Sequence, residues 1–253
     1  MRVAFFCIRA KLHMPITIAH LFLKPARHQP VVEQSAITLT TGVGIAGDIH
    51  AHKLSPRQVL VTLAAELDAL GVAPGALYEN LVISGAAPAD FRPGSAITCG
   101  EIEIRLTMYC EPCKRIAPLV GDLAAVIERR GILGVVVHGG TLRSGDTVAL
   151  VPGRYAPLPE SVQQKFCDFV ATVPRGRVVR YRDITMAMGV DDSFIRALPG
   201  YIKRHLGAGL PLHRIVNGRG QLLAALPQQA RMLAAEGVPA DGAVDLDRFL
   251  WQG

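Results

Sequence analysis

Residues 151–160 read VPGRYAPLPE, and these ten positions decide whether the chain folds as one domain or two. Three prolines and a glycine break any regular pattern here, because proline lacks an N–H donor and fixes φ while glycine turns freely. The hydrophobic period changes across them. Upstream, the β-rich runs ITIAHLFL, QVLVTL, NLVI, EIEIRLTM, GVVVH and DTVALV alternate with Gly and Pro, as in a barrel or compact mixed sheet. Downstream, Val162, Phe166, Phe169 and Val170 share one helical face, and RDITMAMG, SFIRAL and QQARMLAAEG also read as short helices. A chain of 253 residues, half of them apolar, can bury two ordinary cores. The sequence therefore predicts an N-terminal extension over 1–13, a mainly-β, barrel-like domain over 14–153, a linker over 154–160 and a mainly-α domain over 161–253.

Composition limits the function classes. The longest apolar runs, LVTLAA and GVVV, fall well short of the roughly 18–20 residues that span a bilayer, so no membrane partner is expected. The opening MRVAFFCIRAKLH is basic and apolar, but its apolar run is short for a signal peptide and no small-residue cleavage site follows. Five cysteines in a chain this large point to a reducing compartment and thiol chemistry rather than a disulfide framework, and to a cytoplasmic location. The net charge is +6, which suits a polyanionic partner. It is uneven: 14 basic against 12 acidic residues before Arg154, and 13 against 9 from it onward.

In the second half the chemically informative stretch is LPLHRIVN, residues 210–217. A side chain just before His213 could use that imidazole as a general base, as activated Cys and Ser nucleophiles do. Leu212 has no proton to give up. The ordered series VPRGRVVRYRDITMAMG, FIRAL, LPLHRIVN, AAEG and VDLDRFLW resembles the DNA-binding domain of O6-alkylguanine-DNA alkyltransferases, and within it the alkyltransferase-like proteins. The resemblance covers about residues 160–253. It implies a winged-helix/helix-turn-helix fold that enters the minor groove and rotates an alkylated guanine into a pocket, with no alkyltransferase activity because Leu212 replaces the acceptor cysteine. It also implies that Glu236 orients His213, that Tyr181 helps turn the nucleotide, and that Arg196 fills the gap in the stack. Leu212, His213 and Arg214 would lie at the DNA site. Phosphate contacts are expected from Arg175, Arg177, Arg180 and Arg182, with Lys203 and Arg204. Asp191, Asp192 and Ser193 read as the N-cap of the recognition helix. Leu198-Pro199 replaces the family's Val-Gly, and a proline inside that helix is expected to kink it.

In the first half the informative stretches are GVGIAGDIHAH (42–52), YENLVISG (78–85), YCEPCKRIAPL (109–119) and GGTLRSGDTVAL (139–150). Cys110 and Cys113 are separated by two residues, with Lys114 and Arg115 behind them, and nearby cations favour a thiolate. A structural zinc would need four ligands; Asp48, His50 and His52 could contribute, but there is no second CxxC. A thioredoxin-like pair would need a βαβ setting, which the β-rich surroundings do not offer. The four stretches together resemble the MOSC domain, the C-terminal module of molybdenum cofactor sulfurases, over about residues 14–151. That resemblance makes Cys113 the catalytic thiol, carrying sulfur as a persulfide or ligating molybdenum. It implies that Gly47, Asp48, His50, Arg57, Gln58, Glu79, Asn80 and Cys113 hold the molybdenum cofactor, with neither zinc nor pyridoxal phosphate bound.

These readings combine into a MOSC domain that binds molybdenum cofactor or carries sulfur, fused to a non-catalytic reader of O6-alkylguanine that flags lesions for nucleotide excision repair proteins. Two alternatives stand beside it. In one, the MOSC half is an oxidoreductase acting on N-hydroxylated bases and the second half is its targeting module. In the other, both halves are vestigial and the chain is a scaffold.

Overall fold

The computed structural model describes residues 15–253, so the extension expected over 1–13 lies outside the described residues. The first half contains, in chain order, β1 (Thr17–Leu23), β2 (Val32–Gln34), β3 (Ala36–Thr40), β4 (Gly44–Ile45), β5 (Val59–Leu63), α1 (Ala64–Leu70), β6 (Leu81–Ser84), β7 (Ala96–Cys99), β8 (Ile102–Tyr109), α2 (Ala117–Val120), β9 (Ile132–His138), β10 (Gly140–Arg143) and β11 (Ala149–Val151). Eight of these strands form one sheet in the order β11-β7-β8-β9-β5-β6-β1-β2, and β10-β3-β4 form a second. Among the described strands of this half only the β5–β6 pair is parallel, with α1 in the connection between them. The large sheet curls back on itself. Ile18 N donates to Asp146 O at 2.9 Å and Val148 N to Ile16 O at 2.9 Å, so the chain leading into β11 bonds to β1 and closes a barrel. Its interior is aliphatic, built from Leu21, Val61, Leu81, Ile104, Leu106 and Ile132 among others.

The short strands β2, β3, β4, β7 and β10 were not among the expected runs; of these β3 alternates, with Ile37 and Leu39 buried between exposed threonines, but over only five residues. They are specified by pairing rather than by pattern: β10 takes its register from β3, Thr141 opposite Thr38.

The segment between the halves is laid along the barrel. Arg154 makes a two-pronged contact with Glu103 (2.6 and 2.9 Å), and the Tyr155 hydroxyl bonds to the same carboxylate. Tyr155 N donates to Gly94 O at 2.8 Å, and Leu158 packs on Leu60, Met108, Cys110 and Leu133.

The second half contains α3 (Val162–Thr172), β12 (Val179–Arg180), α4 (Tyr181–Met188), a 3-10 helix over Asp192–Ala197, α5 (Leu198–Arg204), a 3-10 turn over Leu212–Arg214, β13 (Ile215–Val216), α6 (Gln229–Ala234), β14 (Ala240–Asp241), β15 (Ala243–Val244) and α7 (Leu246–Phe249). Phe166 and Val170 of α3 are fully buried against Ile184, Leu198 and Ile202, which makes the helical face read from sequence the core face. The α4–turn–α5 unit is the helix-turn-helix. Asp191 caps the 3-10 helix, accepting from Ser193 N at 2.9 Å.

The kink expected at Pro199 does not arise. The 3-10 helix ends at Ala197 and α5 begins at Leu198, so the proline occupies the first turn of α5, where its missing N–H would have had no intrahelical partner. None of the helices is long and apolar enough to cross a membrane among the described residues.

Gly131 joins the barrel to the cysteine loop. It has φ +121°, and its carbonyl accepts from Cys110 N at 2.9 Å. A Cβ there would overlap the Val61 carbonyl and the Thr62 hydroxyl. Gly131→Ala is expected to cost at least about 2 kcal/mol through backbone strain and overlap, read as a lower urea midpoint with an unchanged slope.

Candidate functional site

The loop after β8 treats its two cysteines differently. Cys110 is buried and bonded through its backbone to Gly131, and burial pushes its thiol up. Cys113 is half-buried. Burial works against its ionisation, but the Arg130 guanidinium and the N–H groups of Arg115 and Ile116 outweigh it, so its thiol is held below the ordinary value. Arg130 Nη1 stands 3.4 Å from Cys113 Sγ. Of the pair, only Cys113 has the surroundings of a reactive thiolate.

Arg130 is itself 7 % exposed. Its Nη1 donates to Glu111 O at 2.5 Å and its Nη2 to Leu77 O at 3.4 Å, while its Nε has no partner among the described residues. A buried guanidinium with a spare donor costs free energy unless something else occupies that donor. The cavity it lines, about 820 Å³, also presents Lys24, His50, Arg57, Asn80 and Cys113. Lys24 is buried, with Nζ 4.1 Å from the centre of the Tyr78 ring. Burial and the nearby Arg115 charge hold its ammonium below the usual lysine range. Tyr78 has φ 65°, an uncommon conformation for an aromatic residue that places its ring against the lysine.

The residues expected to hold a cofactor fall into two groups. His50, Arg57, Asn80 and Cys113 reach the cavity; Gly47, Asp48, Gln58 and Glu79 are not in its wall. The second group supports the first. Asp48 is 6 % exposed and accepts from Lys24 N and Asn80 Nδ2 on one oxygen and from His50 N and Nδ1 on the other, each at 2.9 Å. Those bonds hold it below the ordinary carboxylate value despite burial. Gly47, at φ +82°, makes the turn into it. Gln58 bridges three backbone groups, Gly42 O, His52 O and Val136 N, at 2.8, 3.1 and 3.0 Å. Glu79 is wholly buried, accepts from Gly75 N at 2.5 Å, and is pushed up by burial.

Sequence reasoning missed Lys24, Tyr78 and Arg130. Lys24 follows an apolar strand and Arg130 sits in an ordinary Arg-Arg pair, so only folding, which brings both to Cys113, reveals them.

The second half has its own cavity, about 340 Å³, lined by Tyr181, Pro199, Lys203, Asn217, Leu222 and Leu223 among others. Its wall is largely aliphatic, closed by the loop Leu222–Ala225. Arg196 is exposed on the 3-10 helix, and Arg182, Lys203 and Arg177 are exposed nearby in the chain or on the same helix pair. Arg177 also donates to Arg248 O at 2.8 Å.

Other expected DNA-site residues point inward. Leu212 is 4 % exposed and belongs to the core with Phe166 and Ile184, and it is not in the cavity wall. Arg214 is committed to Glu236 and to Val173 O at 2.6 Å. Arg180 is paired with Asp183 at 2.9 and 3.0 Å. His213 is 9 % exposed, with Nε2 2.8 Å from Glu236 Oε1, so the Nε2–H form donates to the carboxylate. Burial opposes the charge on Glu236, but Arg214, Gly176 N and His213 hold its carboxyl down to about 2. The His213 Nδ1 is buried without a partner among the described residues.

Compared with known proteins, residues 46–149 match the MOSC domain and residues 161–238 match the 6-O-methylguanine DNA methyltransferase DNA-binding domain. The chain is 35% identical over 98 residues to the DNA base-flipping protein of Escherichia coli (strain K12), covering 36% of this chain and 75% of that one. Solved structures that resemble it include the YuaD protein from Bacillus subtilis, with TM-score 0.47 and 19% identity over 54% of this chain and 96% of that chain. Another is S. pombe Atl1 in complex with damaged DNA containing O6-carboxymethylguanine, with TM-score 0.34 and 25% identity over 38% and 99%.

Arg130→Met removes the charge beside Sγ while keeping much of the bulk. The pH midpoint for alkylation of Cys113 by iodoacetamide, followed by peptide mass spectrometry, is expected to lie below that of an ordinary thiol in the native chain and to rise in Arg130→Met. An unchanged midpoint would show that the guanidinium does not stabilise the thiolate.

Proposed function

The chain belongs to the alkyltransferase-like family through its DNA-binding domain at 161–238, preceded by a MOSC domain at 46–149, and from that membership we propose that it reads O6-alkylated guanine in DNA and holds a molybdenum cofactor in its thiol pocket. The observation that carries the first part is Leu212. The His213–Glu236 pair is intact, yet the side chain before it is an aliphatic group packed into the core. An alkylated base would enter the aliphatic cavity that Tyr181 lines, and the side chain at position 212, packed in the core outside that wall, cannot accept its alkyl group.

The geometry suits binding by extrusion. Turning a base out of the stack costs a few kcal/mol, less for a lesion that pairs badly. Arg196, exposed on the helix-turn-helix, fills the gap, and Tyr181 lines the aliphatic cavity. Leu222 and Leu223 give an O6-alkyl group apolar surface to bury, and Arg177, Arg182 and Lys203 meet phosphates. A protein that binds a lesion without removing it serves repair by flagging, so nucleotide excision repair proteins are its expected partners.

In the first half, Cys113 offers a soft thiolate ligand, and Lys24, Arg57 and Arg130 offer charge to an anionic cofactor, with the spare Arg130 Nε as a further donor. Among the described residues no three His, Cys, Asp or Glu side chains converge on a point. A soft sulfur ligand set among cations fits a molybdenum cofactor. When bound, that group supplies two-electron redox chemistry. The chain supplies the thiolate, the cations that neutralise the group, and the Asp48-centred turn that orients His50 and Asn80 toward it.

Fluorescence anisotropy with a duplex carrying one O6-methylguanine tests the reader. Lesion DNA is expected to bind more tightly than the unmodified duplex, and Arg196→Ala to lose about 2 kcal/mol, roughly thirtyfold in Kd. Equal weak binding to both duplexes, or transfer of a labelled methyl group to the protein, rejects it. For the thiol pocket, protein made in a host that synthesises the cofactor is expected to carry molybdenum, and Cys113→Ala to lose it; metal retained by the variant assigns it elsewhere.

A further inference from the structure

The wall of the thiol pocket is not made by the barrel alone. Gly189, Val190, Asp191 and Asp192 line the same cavity as Cys113 and Arg130, and they form the turn of the helix-turn-helix. The contact is close and bonded. Arg57 Nη1 donates to Gly189 O at 2.8 Å and to Glu111 Oε2 at 3.0 Å, so one guanidinium ties the turn to the cysteine loop. Gly189 has φ +67°, and a Cβ on it would press on Pro56 Cγ at 2.9 Å and Met108 Cε at 3.0 Å. The turn therefore packs closely on the barrel.

The turn also belongs to the DNA-reading elements. α4 starts at Tyr181, in the wall of the aliphatic cavity, and ends against Gly189, in the wall of the thiol pocket. Its eight residues span about 12 Å, so one rigid rod joins the two cavities. The 3-10 helix that bears Arg196 begins at Asp192, in the same wall.

We propose that the turn Gly189–Asp192 makes the thiol pocket and the duplex-binding surface one coupled system, with Arg57 as the link. The inference rests on the reading that the second half binds duplex DNA. An anion entering the pocket meets Arg57 and Arg130 in a wall that also carries Asp191 and Asp192. It draws Arg57 away from Gly189 and repels the turn, which removes the anchor of the Arg196 segment. Anionic occupancy of the pocket therefore weakens duplex binding, and duplex binding by the same factor disfavours the occupant, because coupling between two sites is reciprocal.

The test uses the full chain with iodoacetate as the probe. The Cys113 thiolate displaces iodide from the reagent, forming an S–CH2 bond and leaving a carboxylate in the pocket. Anisotropy with the O6-methylguanine duplex is expected to show affinity lowered about fivefold or more by this adduct, at the lower end of typical coupling. The same treatment of Cys113→Ser is expected to leave affinity unchanged, which assigns the effect to Cys113 and not to another cysteine. In Arg57→Ala the adduct is expected to change affinity less than about twofold. Duplex binding that is indifferent to the Cys113 adduct overturns the coupling while leaving the DNA reading intact. A full adduct effect in Arg57→Ala overturns the assigned link. Absence of duplex binding in the untreated chain fails the DNA reading and the coupling together.

Discussion

Asp48 receives four hydrogen bonds from three separate segments, and much of the first half's site is arranged around it. A carboxylate this buried is tolerable only if its lone pairs are satisfied. Lys24 N brings the end of β1, Asn80 Nδ2 brings the start of β6, and His50 closes the turn on itself. Asn80 in turn accepts from Leu60 N at 3.0 Å and donates to Phe22 O at 3.2 Å. Two adjacent strands and a loop are thereby fixed where they face Cys113. Lys24 follows directly: its backbone is held by Asp48, so its side chain has little choice but to lie over Tyr78 in a wall of the cavity.

The two cavities then differ for simple electrostatic reasons. The thiol pocket gathers cations that lie far apart in the chain, and their mutual repulsion is relieved by Glu111 and Asp191, beside a Cys113 thiol held below its ordinary value. The cavity of the second half has one cation, Lys203, among the lining residues, with the Tyr181 phenol, the Asn217 amide and otherwise aliphatic groups. The first suits a charged ligand that neutralises it. The second suits a neutral planar group with an apolar substituent, whose burial releases water from Leu222 and Leu223.

What the sequence made legible follows from how each feature is encoded. β1, β5, β6, β8 and β9 carry their own alternation or apolar runs, and the proline-rich stretch at 151–160 marked the change of period. Asp48, Glu79 and Asn80 were visible as motif residues, but the motif does not say which side chains face a ligand and which hold the backbone: Asn80 and His50 reach the cavity, while Glu79 and Gln58 build the floor behind it. Arg130 could not be read at all, because its role depends on Gly131 turning β9 back beneath the cysteine loop. Pro199 was misread for a related reason. Its effect depends on where the helix starts, and the 3-10 segment before it moves that start to Leu198.

The persistence of His213 and Glu236 beside an aliphatic residue has a structural cause that needs no residual chemistry. Glu236 is the shared acceptor for the Arg214 guanidinium, for His213 and for Gly176 N, and it joins α6 to the turn that precedes β12. Removing the carboxylate strands a nearly buried guanidinium, and breaking such a pair typically costs about 3–5 kcal/mol where burial is complete. Leu212, by contrast, makes only apolar contacts, so a thiol can be exchanged for a branched aliphatic group at that position with the surrounding network unaltered. His213 and Glu236 are thus tied into the fold by polar bonds that Leu212 does not share.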